Sequence, residues 1–251
     1  MESVTTIWLG PVPVHVWGVF VAAGMMVALA IAVRRAPRVG IPAERVLDIS
    51  IGILIAGFVG ARLGHVTFYE PSYYLAAPIE ILKIWNGGLS SFGAFLIATI
   101  VGALLVRRSG ISLRRFSDLI FRALPFGFII GRLGCHITRM HPGPIGSGWG
   151  YFPFPDGFTR LDLGLLEAVL WAVIAIPALF VDRADAHPGR VTAVVIGMYA
   201  LGRFGLDFLR AMDTRYFGLT PAQYGCMVLL VIAVAWGRGA WVAGARSGKS
   251  V

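Results

Sequence analysis

The sequence predicts an all-α polytopic membrane protein, with about seven transmembrane helices and a small outward-facing cap. Three observations carry this. First, 57% of the 251 residues are hydrophobic and 14% charged, with a mean hydropathy of +0.76, whereas a soluble domain carries about a quarter charged residues. Second, the apolar residues fall in blocks near the ~20 residues a bilayer core requires, not at helical or strand periods. Third, arginines gather in alternate loops, as topology demands of a multi-spanning chain.

The spans follow in order. Residues 15–33 form the first apolar block, ended by Arg34, Arg35 and Arg38 with Pro37 and Gly40 as breakers. It lacks a basic leader and a small-residue cleavage site, so it reads as a retained helix. Residues 46–66 form the second. Segment 67–88 is polar and aromatic, with Tyr69, Tyr73, Tyr74 and Trp85, residue types that settle at a membrane interface. The third span, 89–106, ends in Arg107, Arg108, Arg114 and Arg115, and the fourth covers 119–134. Segment 135–162 is long and rich in Gly, Pro and aromatics; such loops are functional or disordered, and its low charge favours an ordered cap. Spans at 163–181, 191–209 and 219–236 complete a single transmembrane domain over 1–251. Arg183 and Arg190 lie between the first two of these, and Arg238, Arg246 and Lys249 follow the last.

The basic loops all fall on one side, which the positive-inside rule makes cytoplasmic. The N-terminus and both cap segments then face outward, and the C-terminus inward. The net charge of +9 does not point to nucleic acid, because no basic run carries interleaved aromatics. Cys135 and Cys226 form no CxxC pair and no disulfide framework.

Four arginines stand apart from this topology: Arg62, Arg132, Arg203 and Arg210. A charge at bilayer depth costs roughly 2.5–3.5 kcal/mol on the insertion scale, so each requires a partner. Asp207 lies four residues after Arg203 and three before Arg210, so the three can form a ladder on one helix face. Arg62 and Arg210 also read as internal ion pairs or snorkelling residues. For Arg132 and Arg203 the economical partner is an anionic lipid headgroup, because a guanidinium fork matches phosphate. Gly131 and Gly134, beside Arg132, leave room for a ligand or for a close helix.

The chain resembles the bacterial prolipoprotein diacylglyceryl transferases, in motifs running from near the N-terminus to the last span. GPVPVHVW at 10–17 resembles the family's opening GPxxxHxY. GARLG at 60–64, FYEPSYYL at 68–75 and IWNGGLS at 84–90 resemble its second span and outer segment. GRLG at 131–134 matches the start of GRxGNFxNxExxG, YALGRFGLDFLR at 199–210 matches YxxxRFxxEFxR, and GLTPAQ at 218–223 looks like the turn opening its final helix. The resemblance implies transfer of the diacylglyceryl group of phosphatidylglycerol to the lipobox cysteine of a prolipoprotein in the inner membrane, with no cofactor and no metal. It implies that Arg132 and Arg203 bind the phosphate, supported by Tyr199, Asp207 (for the usual Glu) and Arg210.

The departures concern the acid–base half. Phe92 stands where the family has its base histidine; Cys135, Thr138 and Met140 replace two asparagines and a glutamate of the signature. Two readings compete. Either the base has moved, with His15 or His136 as candidate and His141 in the same rewritten segment, or the chain binds anionic lipid and performs another headgroup reaction or none. Cys135, His136 and His141 match no standard zinc spacing.

Overall fold

The structure, a computed structural model, describes residues 5–9, 12–83, 87–180, 187–211 and 214–247. Gly10 and Pro11 of the opening motif, Ile84, Trp85 and Asn86 of the outer segment, and Arg183 and Lys249 lie outside the described residues, as does the side chain of Arg246.

Helices dominate. They are α1 (Val16–Arg35), α2 (Ala43–Phe68), α3 (Pro71–Ala76), α4 (Ser91–Arg108), α5 (Leu113–Ile137), α6 (Leu163–Phe180), α7 (Arg190–Asp207) and α8 (Pro221–Ser247). Among the described residues, six stretches are long and apolar enough to cross a bilayer, in α1, α2, α4, α5, α6 and the first part of α8. Helix α7 occupies the region of the sixth expected span but holds Arg190, Arg203 and Asp207 within 18 residues, which lowers its apolar character. The all-α membrane class stands, with these six apolar helices and the more polar α7. Two small antiparallel sheets accompany them. One is the hairpin of β1 (Thr6–Leu9) and β2 (Val12–His15). The other lies in the segment expected as a cap and orders β3 (Pro142–Ile145), β5 (Thr159–Asp162) and β4 (Tyr151–Pro153).

The chain forms two compact units. In the unit spanning 33–116, α2 and α4 touch backbone to backbone. A Cβ placed on Gly60 would sit 2.6 Å from the Gly93 carbonyl oxygen, so the approach exists only because both residues lack a side chain. Ser90 secures the start of α4: its hydroxyl accepts the Gly93 N–H at 3.3 Å, and its own N–H donates to Ala61 O at 2.9 Å.

In the unit formed by 1–32 and 117–251, α5, α6 and α7 are held by a three-ring stack. Trp171 of α6 lies flat between Phe128 of α5 (centroids 4.4 Å apart, planes 7°) and Tyr199 of α7 (4.7 Å, 19°). Ile174, Ala178, Val191 and Val195 pack below it. Helix ends are satisfied from neighbouring helices. Asp118 of α5 accepts the Gly189 and Thr192 N–H groups at 2.6 and 2.8 Å, placing a carboxylate at the positive end of α7. Arg122 donates to Ala178 O at 2.9 Å near the C-terminus of α6, where a cation suits the dipole.

The glycine contact makes a testable demand. Gly93→Leu should force α2 and α4 apart and lower stability by about 1–3 kcal/mol, the range for overpacking. Thermal unfolding of the detergent-purified protein measures it, with Gly18→Ala, which has nothing within 4 Å of the added Cβ, as the tolerated control.

Candidate active site

One helical turn beyond the ring stack, each of the same three helices contributes a charge. Arg132 follows Phe128 by four residues, Glu167 precedes Trp171 by four, and Arg203 follows Tyr199 by four, so all three charges lie in one layer. Glu167 is fully buried and bridges the two arginines. Its Oε2 lies 2.8 Å from Arg132 Nη2, and its Oε1 lies 2.5 Å from Arg203 Nη1. Arg203 Nη2 reaches Asp207 Oδ1 at 2.7 Å, and Arg210 Nε approaches the same oxygen at 3.4 Å. The ladder expected from the spacing is present. Thr220, at the start of α8, donates its hydroxyl to the other Asp207 oxygen. Gln223 accepts the Thr220 N–H at 2.9 Å and donates to Phe204 O at 3.1 Å.

The arrangement is graded in depth. Glu167 and Asp207 are 0% exposed, while the side chains of Arg203, Arg132 and Arg210 are 10%, 21% and 21% exposed. Carboxylates form the floor and guanidinium groups the rim. Among the described residues, three guanidinium groups meet two carboxylates here. Buried carboxylates are tolerable only when paired, so the floor fixes the arginines and leaves their outer edges part-exposed.

A second knot closes the end of α5. Asp162, also fully buried, accepts the Leu165 N–H at 3.1 Å as a cap on α6. Its other oxygen meets Arg139 Nη1 at 2.6 Å and His136 Nδ1 at 2.9 Å. Arg139 takes a left-handed backbone (φ 52°) and lays its guanidinium over Phe152 at 4.4 Å. This turn carries the chain to His141, whose carbonyl accepts the Leu163 N–H at 3.2 Å. His141 Nε2 lies 3.4 Å from Arg132 Nη1. Burial pulls its pKa down to about 4; Arg132, Arg210 and Arg203 add to that, and Asp162 opposes it.

The structure gathers Arg132, Arg203, Asp207 and Arg210 of the expected site residues, keeps Tyr199 within electrostatic reach of Glu167, Arg132 and Arg203, and gives the others different surroundings. Tyr199 serves as the outer ring of the stack. Gly134 is a packing residue, because a Cβ there would meet Phe20 Cβ of α1 at 2.5 Å; Gly131 has only Val21, at 4.0 Å. Arg62 belongs to the other unit and needs no anion. Its donors go to the carbonyls of Ile81, Gly87, Gly88, Glu80 and Lys83 at 2.5–3.4 Å, and it stacks on Tyr74 at 5.0 Å. His15 is an exposed hairpin residue facing Thr6 Oγ1 at 3.2 Å. His136 is engaged by Asp162 and Arg139, not by Arg132 or Arg203. Phe92 is 63% exposed at the start of α4, edge-on to Phe68. Thr138, in place of the signature's second asparagine, returns its hydroxyl to Gly134 O at 2.8 Å.

The sequence reading missed Glu167, although it signalled itself. It is the one charged residue in the apolar stretch 163–180, and an ionisable side chain in a span marks a site.

Fold and site together define a multi-pass membrane protein with a largely buried cluster of arginines built on two carboxylates. The family model for prolipoprotein diacylglyceryl transferase matches residues 4–237, and the chain belongs to that family. Curated relatives bear the name phosphatidylglycerol–prolipoprotein diacylglyceryl transferase. One from Azoarcus sp. (strain BH72) is 33% identical, over 90% of this chain and 91% of the relative. One from Nitratidesulfovibrio vulgaris (strain DP4) is 32% identical, over 91% and 90%. One from Streptococcus uberis is 28% identical, over 94% of each.

Two outcomes test the site as built. Glu167→Ala leaves two arginines on a buried floor without their shared anion and should cost about 3–5 kcal/mol in thermal unfolding, whereas Glu167→Gln, retaining shape and hydrogen bonding, should cost less. His141 binds a proton more readily unfolded, near 6.5, than folded, near 4. Its contribution to stability is therefore complete above pH 6.5 and is lost as pH falls toward 4. Unfolding measured from pH 7 to pH 4 should show His141→Gln losing less stability than the parent.

Proposed function

We propose that this protein transfers the diacylglyceryl group of phosphatidylglycerol to the lipobox cysteine of a prolipoprotein, forming a thioether and releasing glycerol phosphate. The observation that carries the reading is the pair Arg132 and Arg203 on one buried carboxylate, with their guanidinium groups part-exposed, in a chain of this family. A phosphodiester presents anionic oxygens that suit a guanidinium fork. Arg132 and Arg203 hold the phosphate; Asp207 orients Arg203, and Arg210 completes the rim.

The physics favours the transition state over the bound lipid. As sulfur bonds to the glyceryl carbon, the carbon–oxygen bond breaks and its electron pair goes to the phosphate, whose charge moves from −1 toward −2. Guanidinium groups already fixed by Glu167 and Asp207 meet that developing charge without reorganising. The thiol must also lose its proton, since thiolate is the nucleophile. The protein sits in the bacterial inner membrane, N-terminus outward and C-terminus cytoplasmic. The arginines closing α1 and α4, Arg34/Arg35 and Arg107/Arg108, support that orientation.

A second reading, an anionic-lipid-binding paralogue without transferase chemistry, draws on Phe92 at the family's base position. One experiment separates the two. Vesicles containing phosphatidylglycerol, the protein and a lipobox peptide should yield the thioether product. Arg203→Ala and Arg132→Ala should each lower the rate by about 10²–10³-fold, the scale for removing one group that stabilises developing negative charge. Lipid binding with no thioether product would establish the second reading.

A further inference from the structure

Among the side chains that meet Arg132 is His141, which no family motif predicts, and the geometry defines its state. A guanidinium only donates hydrogen bonds. The His141 Nε2 that faces Arg132 Nη1 at 3.4 Å therefore carries its lone pair, with the ring proton on Nδ1. The residue is held from both sides. The turn Thr138–Met140 closes on α5 through Arg139 N–H to His136 O and Met140 N–H to Cys135 O, and His141 O accepts the Leu163 N–H at the start of α6. A lone pair is thus held at the rim of the arginine pocket, next to the group that grips phosphate.

We propose that His141 is the general base of this chain, taking the thiol proton of the acceptor cysteine when phosphatidylglycerol occupies the arginine pocket. The proposal rests on the transferase reading above. The proton moves from sulfur to Nε2. The sulfur lone pair then forms the bond to the glyceryl carbon, the carbon–oxygen bond breaks, and its electrons leave on glycerol phosphate. The proton on His141 passes to that phosphate or to water, which balances the step.

The charges around His141 make it responsive to substrate. Burial is the largest influence against its protonated form; Arg132 of α5, Arg210 just beyond α7 and Arg203 of α7 add to it, and Asp162 at the end of β5 opposes them. Without lipid the imidazole is therefore neutral and weakly basic. A phosphodiester among those arginines cancels much of their field and draws Arg132 away from Nε2. Both effects raise the basicity of the imidazole, while its burial persists, so the base is stronger with the lipid in place than without it. This explains how the chain can dispense with a histidine at position 92.

The test is the pH dependence of thioether formation by the full-length protein in phosphatidylglycerol vesicles with a lipobox peptide, comparing the parent with His141→Gln and His141→Ala. The parent should show a kcat that rises with pH and flattens between about 4, the value without lipid, and roughly 6.5, the unperturbed imidazole value. Both variants should lose about 10²–10⁴-fold in kcat at pH 7 while the KM for lipid stays within a few-fold, which shows that they fold and bind. Their residual rate should then climb about tenfold per pH unit toward the thiol's own pKa near 8.5, a slope that a merely structural lesion does not produce. Variants with parental kcat, or with a loss that is flat in pH, overturn the assignment while leaving the transferase reading intact. A parent protein that makes no thioether overturns both.

Discussion

The carboxylate of Glu167 is the constraint on which the site depends. A single buried anion on α6 receives Arg132 from α5 and Arg203 from α7, and that arrangement is possible only if the three helices hold one register. The Phe128–Trp171–Tyr199 stack, one turn away on the same three helices, supplies the register. Flat aromatic surfaces and fully buried aliphatic side chains set helix spacing, and the charges occupy the next layer. Ion pairs of this kind contribute little net stability in an apolar interior. What they provide here is direction: floor carboxylates aim guanidinium groups at a part-exposed rim.

The same logic explains why Arg62 and Arg132, which look alike in sequence within Gly-rich ARLG and GRLG stretches, differ in role. Arg62 meets a run of backbone carbonyls from 80 to 88 and is consumed in shaping that segment. Arg132 meets a carboxylate that it shares, and a neutral histidine, and so retains capacity for an anion. Sequence spacing alone does not distinguish the two, because the carbonyls that satisfy Arg62 lie 18 to 26 residues away in a segment with no periodic signal.

Much of the fold was legible because bilayer thickness imposes long apolar blocks, and the Asp207 ladder was legible because i, i+3 and i, i+4 neighbours follow from helix geometry. The small sheets were not, since Gly- and Pro-rich strands of three or four residues leave no alternation to read. The long-range partners Glu167, Asp162 and Thr220 were missed for a different reason. Each becomes a site residue through tertiary contact between helices, although Glu167 was visible as a lone acid in an apolar block. Phe92 points the same way. The loss of one motif residue is plain in sequence, but a replacement on another element is visible only when the chain is folded.

The central claim is that Arg132 and Arg203 act as one phosphate clamp because one glutamate fixes both. A double-mutant cycle on phosphatidylglycerol binding, with Arg132→Gln, Arg203→Gln and the pair, tests it most directly. Coupled groups give non-additive losses, so the double variant should bind only slightly more weakly than either single one. Losses that multiply, as for two independent sites, would contradict the account.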